Sequence, residues 1–188
     1  MENREKILEC ALELFSSRGY DAVGVQEIVN TVGITKPTLY HYFGSKEGLL
    51  KILLDEQHRL LMAKITIAAD YKGDLPFTMY QLTQAYVSYV NENRRFYRML
   101  LSMRFYPPDS EAYKVARPLI DEQIHLLEGL FFKASKQHGN MKGRQTIYAI
   151  TYLGIMNAYF EVEHNRLEME QEVLTRKVVH QFMHGIFS

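Results

Sequence analysis

The chain has 188 residues, of which 47% are apolar and 23% charged, which is ordinary globular usage and enough length for one domain or two small ones. Its 22 basic and 22 acidic side chains balance, and the lone Cys10 excludes an internal disulfide. No apolar run approaches the ~20 residues of a membrane span and the first residues lack the layout of a signal peptide, so we expect a cytoplasmic protein with no membrane partner.

Long periodic stretches separated by few helix breakers predict an all-α chain. The sequence contains only five prolines and eleven glycines. The first predicted helix covers residues 3–18 and ends at Gly19, which can serve as a left-handed cap. Its predicted inner stripe consists of Ile7, Ala11, Leu14 and Phe15.

Two short helices separated by a glycine turn are predicted next. The first has apolar residues at i, i+3, i+4 and i+7, namely Val25, Ile28, Val29 and Val32. Gly33 supplies the turn, Thr35 can cap the following helix, and Pro37 falls in the first turn of that helix. Leu39 and Phe43 share one face, which leaves the other side chains directed outward. This order is the helix-turn-helix arrangement, whose second helix enters a DNA major groove.

The stretch from Gly33 to Glu47 carries a specific resemblance. It reads Gly-Ile-Thr-Lys-Pro-Thr-Leu-Tyr-His-Tyr-Phe-Gly-Ser-Lys-Glu. It resembles the signature of the TetR/AcrR family of one-component transcriptional regulators, over approximately residues 4–54. A merely buried aromatic helix is the alternative. The coincidence of the glycine turn, the capped helix with an early proline and the Ser-Lys-Glu helix start favours DNA binding.

The resemblance implies a three-helix DNA-binding head, residues 1–46, followed by a six-helix ligand-binding and dimerisation domain, residues 47–188. It implies a homodimeric repressor that binds a palindromic DNA operator and is released by a small-molecule effector. The alternative is a DNA-binding regulator controlled by a protein partner, without such an effector. The sequence has no Gly-rich phosphate loop, no Gly-x-Ser-x-Gly elbow and no His-Glu-x-x-His motif. We therefore expect neither an enzyme nor a cofactor.

The candidate DNA-binding residues lie in the second helix, the third helix and the start of the fourth. They are Gln26, Thr35, Lys36, Pro37, Thr38, Tyr40, His41, Tyr42 and Lys46. We expect Thr38 and His41 to read bases, the two tyrosines to contact phosphates or thymine methyl groups, and Tyr42 to be the more buried tyrosine. The resemblance directs Lys46 to a phosphate.

Two positions and the charge of the head depart from the expected pattern. Gly24 stands where the family usually has a Ser or Thr cap, and Gln26 where relatives often carry Arg. Residues 1–60 contain seven basic and nine acidic side chains, a net charge of −2. Phosphate neutralisation must therefore be local. The candidates for it are Lys36, Lys46, Arg4 and Lys51.

Six further helices are predicted from glycine and proline punctuation. They cover residues 45–71, 76–91, 92–105, 109–138, 142–164 and 168–187, with a kink possible at Pro118. The helix that follows Ser45 is expected to be the only rigid element joining the head to the remaining helices.

Tyrosine and methionine are abundant in the middle helices. Both residue types suit an adaptable ligand pocket, although core packing is the alternative role for each one. The resemblance implies a pocket there, and the candidate lining residues are Tyr86, Tyr89, Met103, Phe105, Gln123, Tyr152 and Met156. Gln84 and His125 are further polar candidates. The absence of an inward charge cluster predicts a neutral or weakly charged, aromatic or lipophilic effector.

The last two helices are expected to form the dimer interface. Its candidates are Gly154, Ala158, Leu174, Val178, Phe182 and Ile186, with an intramolecular core stripe as the alternative. His180 and His184 lie four apart and are the best candidates for binding a metal, close to Glu161, Glu163 and His164 if the two helices pack antiparallel. A solvated surface is the alternative for these histidines, and we expect no metal.

Overall fold

The computed structural model describes residues 3–166 and 170–185, except for the side chains of 162–166. Regular structure in these ranges is helical throughout, which confirms the predicted all-α class. The helices are α1 Asn3–Arg18, α2 Val25–Val32, α3 Lys36–Phe43, α4 Lys46–Ala68, α5 Leu75–Glu92, α6 Arg94–Met103, α7 Glu111–Ser135, α8 Gln145–Arg166 and α9 Gln171–His184, with a short 3₁₀ turn at Gly139–Met141. None of the described helices is both long and apolar enough to cross a membrane.

The short helices α2 and α3 begin and end where the sequence predicts. Gly33 follows α2 in the left-handed region with a φ of 77°, and its N–H donates to the Val29 carbonyl oxygen at 3.0 Å. A residue with a Cβ atom would be strained at this φ, which explains the glycine between the two helices. Thr35 is the N-cap residue of α3, and Pro37 lies in its first turn.

Some later boundaries differ from the prediction by a few residues. α4 ends at Ala68 rather than at residue 71, and α7 covers Glu111–Ser135 rather than 109–138. Ser110 explains the later start of α7, because its hydroxyl accepts a hydrogen bond from the Tyr113 N–H at 3.2 Å. Pro118 lies inside α7, which continues past it. The outermost residues of the predicted last helix, 168–169 and 186–187, lie outside the described residues.

The chain divides into two compact units. The first consists of the residues up to Arg59 together with Asn93–Leu119, and the second consists of Leu60–Glu92 and the residues from Ile120 onward. Both α4 and α7 run without interruption from one unit into the other. The expectation that the helix after Ser45 is the only rigid element joining the head to the remaining helices stays a prediction, because these units are not divided at residue 46. The proposed functional boundary after residue 46 is a different division and stays a prediction.

In the first unit, α1 packs against α2 and α6, and α2 packs against α3. The shared core holds the apolar faces of all four helices. Its buried side chains include Ile7, Leu8, Ala11, Phe15, Ile28, Leu39, Phe43, Phe96 and Leu100. Leu14, which was predicted on the inner stripe of α1, is only half-buried. This core fixes which face α3 presents outward.

In the second unit, α5 packs against α8 and α9, and α8 packs against α9. Buried tyrosines from α5 and α8 stand among aliphatic side chains in this core. Its members include Met79, Leu82, Tyr86, Tyr89, Leu127, Phe131, Tyr152, Met156, Leu174 and Val178. The second unit therefore has a core of its own, built from α5, α7, α8 and α9.

Candidate nucleic-acid interface

The third helix is anchored by one face and exposed on the other. Leu39 and Phe43, four residues apart, are buried in the first unit. Tyr40 is 43% exposed and Tyr42 39% exposed. The remaining predicted contact residues Lys36, Pro37 and His41 are exposed, and Thr38 is half-buried. An eight-residue helix with this distribution contributes little to the core and offers most of its side chains to a partner.

The hydroxyl groups at the start of α3 contact one another. Thr35 has the extended backbone of an N-cap residue, but its side chain makes no hydrogen bond to the backbone of the helix. Instead its Oγ1 lies 2.9 Å from Oγ1 of Thr38, on the exposed first turn. The predicted side-chain cap is therefore replaced by a hydroxyl pair. Such a pair and the outward N–H groups of the helix start can meet phosphates or bases.

Three of the four aromatic side chains of α3 contact one another in its C-terminal half. The His41 and Tyr42 rings meet edge to face with centroids 5.5 Å apart, and the Tyr42 and Phe43 rings lie 6.0 Å apart. Contact with buried Phe43 restrains the exposed Tyr42 ring. The two tyrosines are nearly equal in exposure, with Tyr42 slightly the less exposed, as expected.

Gln26 lies on the exposed surface of α2 and is not isolated. Its Nε2 donates to Oδ1 of Asn30 at 2.8 Å, one turn further along the helix. The residue that caps α2 is Gly24, which has extended backbone and no side chain to contact a phosphate. Asn30 had not been identified from the sequence, although its spacing of four from Gln26 is the signal for such a pair.

Lys46 occupies the first position of α4 and points at an aromatic ring. Its Nζ lies 4.0 Å from the centroid of the Tyr20 ring. Burial lowers the pKa of the Lys46 ammonium group, while the carboxylates of Asp21 and Glu111 act in the opposite direction. The partner ring is itself fixed, because the Tyr20 hydroxyl donates to Oε2 of Glu111 at 2.6 Å. Sequence reasoning missed Tyr20 and Glu111, which are 91 residues apart in the chain.

The other cations that were considered for phosphate neutralisation are engaged in ion pairs. Arg4 pairs with Glu56, and Lys51 pairs with Asp55 at 2.5 Å. Lys36, in contrast, stands exposed at the start of α3. The positive charge available to a phosphate is thus concentrated around α3 and the start of α4, as a locally neutralising site requires.

The predicted effector-binding residues divide between the two units. Tyr86, Tyr89, Tyr152 and Met156 are buried in the second unit, together with Gln123. Met103 is buried in the first unit, whereas Phe105 is 87% exposed and belongs to the first unit as well. Phe105 follows the end of α6 at Met103 and is not buried with the predicted lining residues of the second unit. Gln84 and His125 are also exposed.

Two buried tyrosine hydroxyls of the second unit pair with buried polar side chains. The Tyr86 hydroxyl donates to Oε1 of Gln123 at 3.2 Å, and the Tyr152 hydroxyl lies 2.9 Å from Oγ1 of Thr83. Burial raises the pKa of the Tyr152 phenol, so it remains neutral at physiological pH. Thr83 had not been identified from the sequence, because nothing in the spacing distinguishes it from other threonines on α5.

The predicted dimer stripe on α9 is wrong in part. Leu174 and Val178 are fully buried within the single chain, since α9 packs against α5 and α8. The Phe182 ring lies 5.3 Å from that of Tyr152 and 5.8 Å from that of Phe131, between centroids. Leu174 and Val178 therefore belong to the intramolecular core stripe that was the alternative interpretation, whereas Phe182 is half-buried. The remaining member of the predicted stripe, Ile186, lies outside the described residues.

The predicted interface residues on α8 have the opposite surroundings. Gly154 and Ala158 are exposed, and a Cβ atom built on Gly154 would meet nothing within 4 Å. Ile147 and Ile150 are also exposed and precede them at helical spacing. These four residues, Ile147, Ile150, Gly154 and Ala158, are called the α8 face below.

The His180 and His184 rings on α9 lie close together with centroids 4.8 Å apart and planes tilted by 43°. The side chains of Glu163 and His164, which were considered as their partners, lie outside the described residues. Among the side chains that the structure does describe, no three or more His, Cys, Asp or Glu residues converge as metal ligands would.

Comparison with known proteins identifies the N-terminal segment. Residues 7–53 match the family model described as bacterial regulatory proteins, tetR family. The chain is 36% identical over 122 residues to an uncharacterized HTH-type transcriptional regulator, YuxN, of Bacillus subtilis. The matched region covers 63% of this chain and 41% of YuxN. The matches span less than half the length of the first few curated relatives.

Solved structures match over nearly the whole chain. The fatty acid degradation regulator FadR from Bacillus halodurans matches with a TM-score of 0.80 and 16% identity, over 100% of this chain and 97% of FadR. AibR in complex with isovaleryl coenzyme A and operator DNA matches with a TM-score of 0.76 and 20% identity, over 96% of this chain and 97% of AibR. At these identities the likeness shows the fold. Together, the N-terminal family match and the related regulators show that residues 7–53 are a helix-turn-helix segment of the tetR family of bacterial regulatory proteins. The solved structures show that the described chain has the fold of TetR-family regulators.

Proposed function

We propose that the protein is a homodimeric repressor that binds a palindromic operator through α3 and is released from it by a small lipophilic effector bound in the second unit. The observation that supports DNA recognition best is α3 itself. Leu39 and Phe43 anchor it, while two exposed tyrosines, a histidine, a lysine and a hydroxyl pair occupy its outer surface. The proposed place of action is the cytoplasm, where operator DNA is accessible.

The division of labour on α3 follows from side-chain chemistry. Thr38 and His41 carry groups that can donate to or accept from base edges, so we assign sequence reading to them. We assign contacts with the DNA sugar-phosphate backbone to Lys36, Tyr40, Tyr42 and Lys46. The two tyrosine rings can also contact thymine methyl groups. Gln26 on α2 and Thr35 at the start of α3 are assigned neutral hydrogen bonds to the DNA. Pro37 fixes the first turn and contacts the groove surface.

A lipophilic effector is favoured by the composition of the second unit. The buried polar residues described in this unit are Thr78, Thr83, Gln123, Ser135 and Thr175, and none of them carries a formal charge. Tyr86, Tyr89, Tyr152 and Met156 supply adaptable apolar surface with a few hydroxyl groups. Two proteins of the same fold are named for fatty acid degradation and for a complex with isovaleryl coenzyme A. We therefore propose an effector that carries an acyl chain.

The α8 face is the proposed dimer interface. Ile147 and Ile150 are large, exposed and apolar, while Gly154 and Ala158 allow a second helix to approach closely. An isologous dimer formed by this face presents two copies of α3. Palindromic half-sites then lie about 34–36 Å apart, one turn of DNA, or a multiple of that distance.

The test is a mobility-shift titration on the DNA upstream of the protein's own gene. We expect a shift at low salt and physiological salt that is competed by specific DNA only. Free fatty acids and acyl-CoA thioesters of increasing chain length are then added to the complex, and one chain-length range is expected to release the DNA. A DNA complex that no small lipophilic compound releases supports control by a protein partner. An absence of specific binding to any upstream DNA contradicts the repressor assignment.

A further inference from the structure

Three side chains from distant parts of the sequence form a connected group in the first unit. Lys46 begins α4, Tyr20 lies in the turn between α1 and α2, and Glu111 begins α7. The Lys46 Nζ is 4.0 Å from the Tyr20 ring centroid, and the Tyr20 hydroxyl is 2.6 Å from Oε2 of Glu111. The order of contact is ammonium, ring face, hydroxyl and carboxylate.

Each contact in this group strengthens the next. Tyr20 is almost fully buried, and burial together with the bond to Glu111 raises the pKa of its phenol, so the hydroxyl stays protonated and donates. A phenol that donates to a carboxylate has a more electron-rich ring, whose face attracts a cation more strongly. The ring therefore restrains an ammonium group that the helix dipole disfavours at the start of α4.

We propose that Tyr20 and Glu111 are positioning residues for Lys46, acting on DNA affinity through it. This inference rests on the proposed function of Lys46 as a phosphate contact. A lysine side chain loses much rotamer freedom when it is fixed against a phosphate. Stacking on a fixed ring removes part of that freedom before DNA arrives, so the phosphate contact forms more readily.

The two informative variants are conservative. Tyr20→Phe keeps the ring and removes the hydroxyl that Glu111 holds, and Glu111→Gln keeps an acceptor at an exposed position while it removes the charge. We expect each variant to weaken operator binding roughly two- to fivefold, the range of a cation–ring contact, with an unchanged salt slope because the ammonium group still reaches its phosphate. In a Lys46→Ala background, neither substitution is expected to weaken binding further.

Glu13→Gln is the matched control. Glu13 forms an ion pair with Arg95 at 2.6 Å, which joins α1 to α6 in the same unit and involves none of the three residues. We expect Glu13→Gln to change DNA affinity by the same factor in the parent and in the Lys46→Ala background. The effects of Tyr20→Phe and Glu111→Gln, in contrast, are expected only when Lys46 is present. An NMR readout on the free protein adds an independent measure. The Lys46 methylene protons nearest the ring should be shifted upfield in the parent and move towards ordinary values in Glu111→Gln.

Failure of the proposed function and failure of the positioning role of Tyr20 and Glu111 give different results. If the parent binds no operator, the proposed function itself fails. If the parent binds and Tyr20→Phe weakens binding equally in the parent and Lys46→Ala backgrounds, Tyr20 acts only on the fold and the positioning role is wrong. The same conclusion follows from Glu111→Gln should Tyr20→Phe not fold. If Lys46→Ala leaves both affinity and salt slope unchanged, Lys46 meets no phosphate and there is nothing for Tyr20 and Glu111 to position.

Discussion

The hydroxyl oxygens of Thr35 and Thr38 lie 2.9 Å apart on the first turn of α3. Each hydroxyl has a single hydrogen, so one of them donates to the other and only the accepting hydroxyl can donate outward. The pair thus presents one donor in a defined direction. This restriction is what a residue needs in order to distinguish one base edge from another.

Replacing Thr38 with Val is expected to relax sequence preference. The change removes the hydroxyl pair while it keeps the shape of the side chain. We expect a loss of ~1–3 kcal/mol of discrimination at one operator position and little change in affinity for random DNA. Competition binding with single-base operator variants measures the effect. Thr38→Ser keeps the hydroxyl and should retain the sequence preference. An equal loss of affinity for all DNA sequences would instead mean that Thr38 contacts the DNA sugar-phosphate backbone.

Replacing Lys46 with Ala is expected to weaken binding to all DNA sequences alike. Loss of one phosphate contact lowers the slope of log affinity against log salt by about one unit. Lys51→Ala is the control, because the Lys51 ammonium is paired with Asp55 at 2.5 Å and its loss should leave the slope unchanged. An altered base preference at an unchanged slope would refute the assignment of Lys46 to a phosphate.

The head could be predicted from sequence because its determinants are local. Gly33, Thr35 and Pro37 lie within five residues and specify the turn, the cap and the first helical turn through backbone geometry alone. The orientation of Lys46 could not be predicted in this way. It depends on Tyr20 and on Glu111, and only the packed first unit brings these residues together.

The dimer residues illustrate a second limit. An apolar stripe such as Leu174, Val178 and Phe182 has the same spacing whether it packs inside the chain or against a second copy. In the structure α5 and α8 cover Leu174 and Val178, so the stripe is core. Helical spacing also could not show that Ile147 and Ile150 on α8 remain exposed.

Replacing Leu174 with Ala is expected to lower the free energy of unfolding by ~2–5 kcal/mol, because the fully buried side chain leaves a cavity. Val173→Ala, next to it and 39% exposed, should change stability by ~0.5 kcal/mol or less. Denaturant unfolding at a fixed protein concentration compares the two. Equal effects would mean that Leu174 is not the core residue described above.

Replacing Ile150 with Glu is expected to produce a folded monomer. The position is exposed in the single chain, so the charge costs little there, whereas burial in a dimer interface costs several kcal/mol. Sedimentation should show a monomer with unchanged helix content and no tight operator binding. Gln81→Glu, at an exposed position on α5, is the control and should remain dimeric. A dimeric Ile150→Glu protein would place the interface elsewhere than on the α8 face.

Replacing Met156 with Ala is expected to blunt release by effector while operator binding remains intact. Met156 is fully buried in the second unit, in the same core as Tyr86 and Tyr152. Met141→Ala is the control for loss of a buried methionine, because Met141 lies in the 3₁₀ turn and is not one of the proposed effector residues. Fluorescence anisotropy of labelled operator follows release, and equal responses from the two variants would move the effector site away from Met156.

We propose that the protein couples DNA binding and effector binding through a change in conformation, so the two affinities must be linked. An effector can release DNA only in proportion to its preference for the DNA-free conformation, and the coupling must be reciprocal. The measurement is the affinity for the releasing fatty acyl compound with and without saturating operator, beside the operator affinity with and without that compound. We predict that both affinities fall by the same factor, of roughly 5- to 150-fold. An acyl compound that binds equally well to the free protein and to the operator complex would contradict the account.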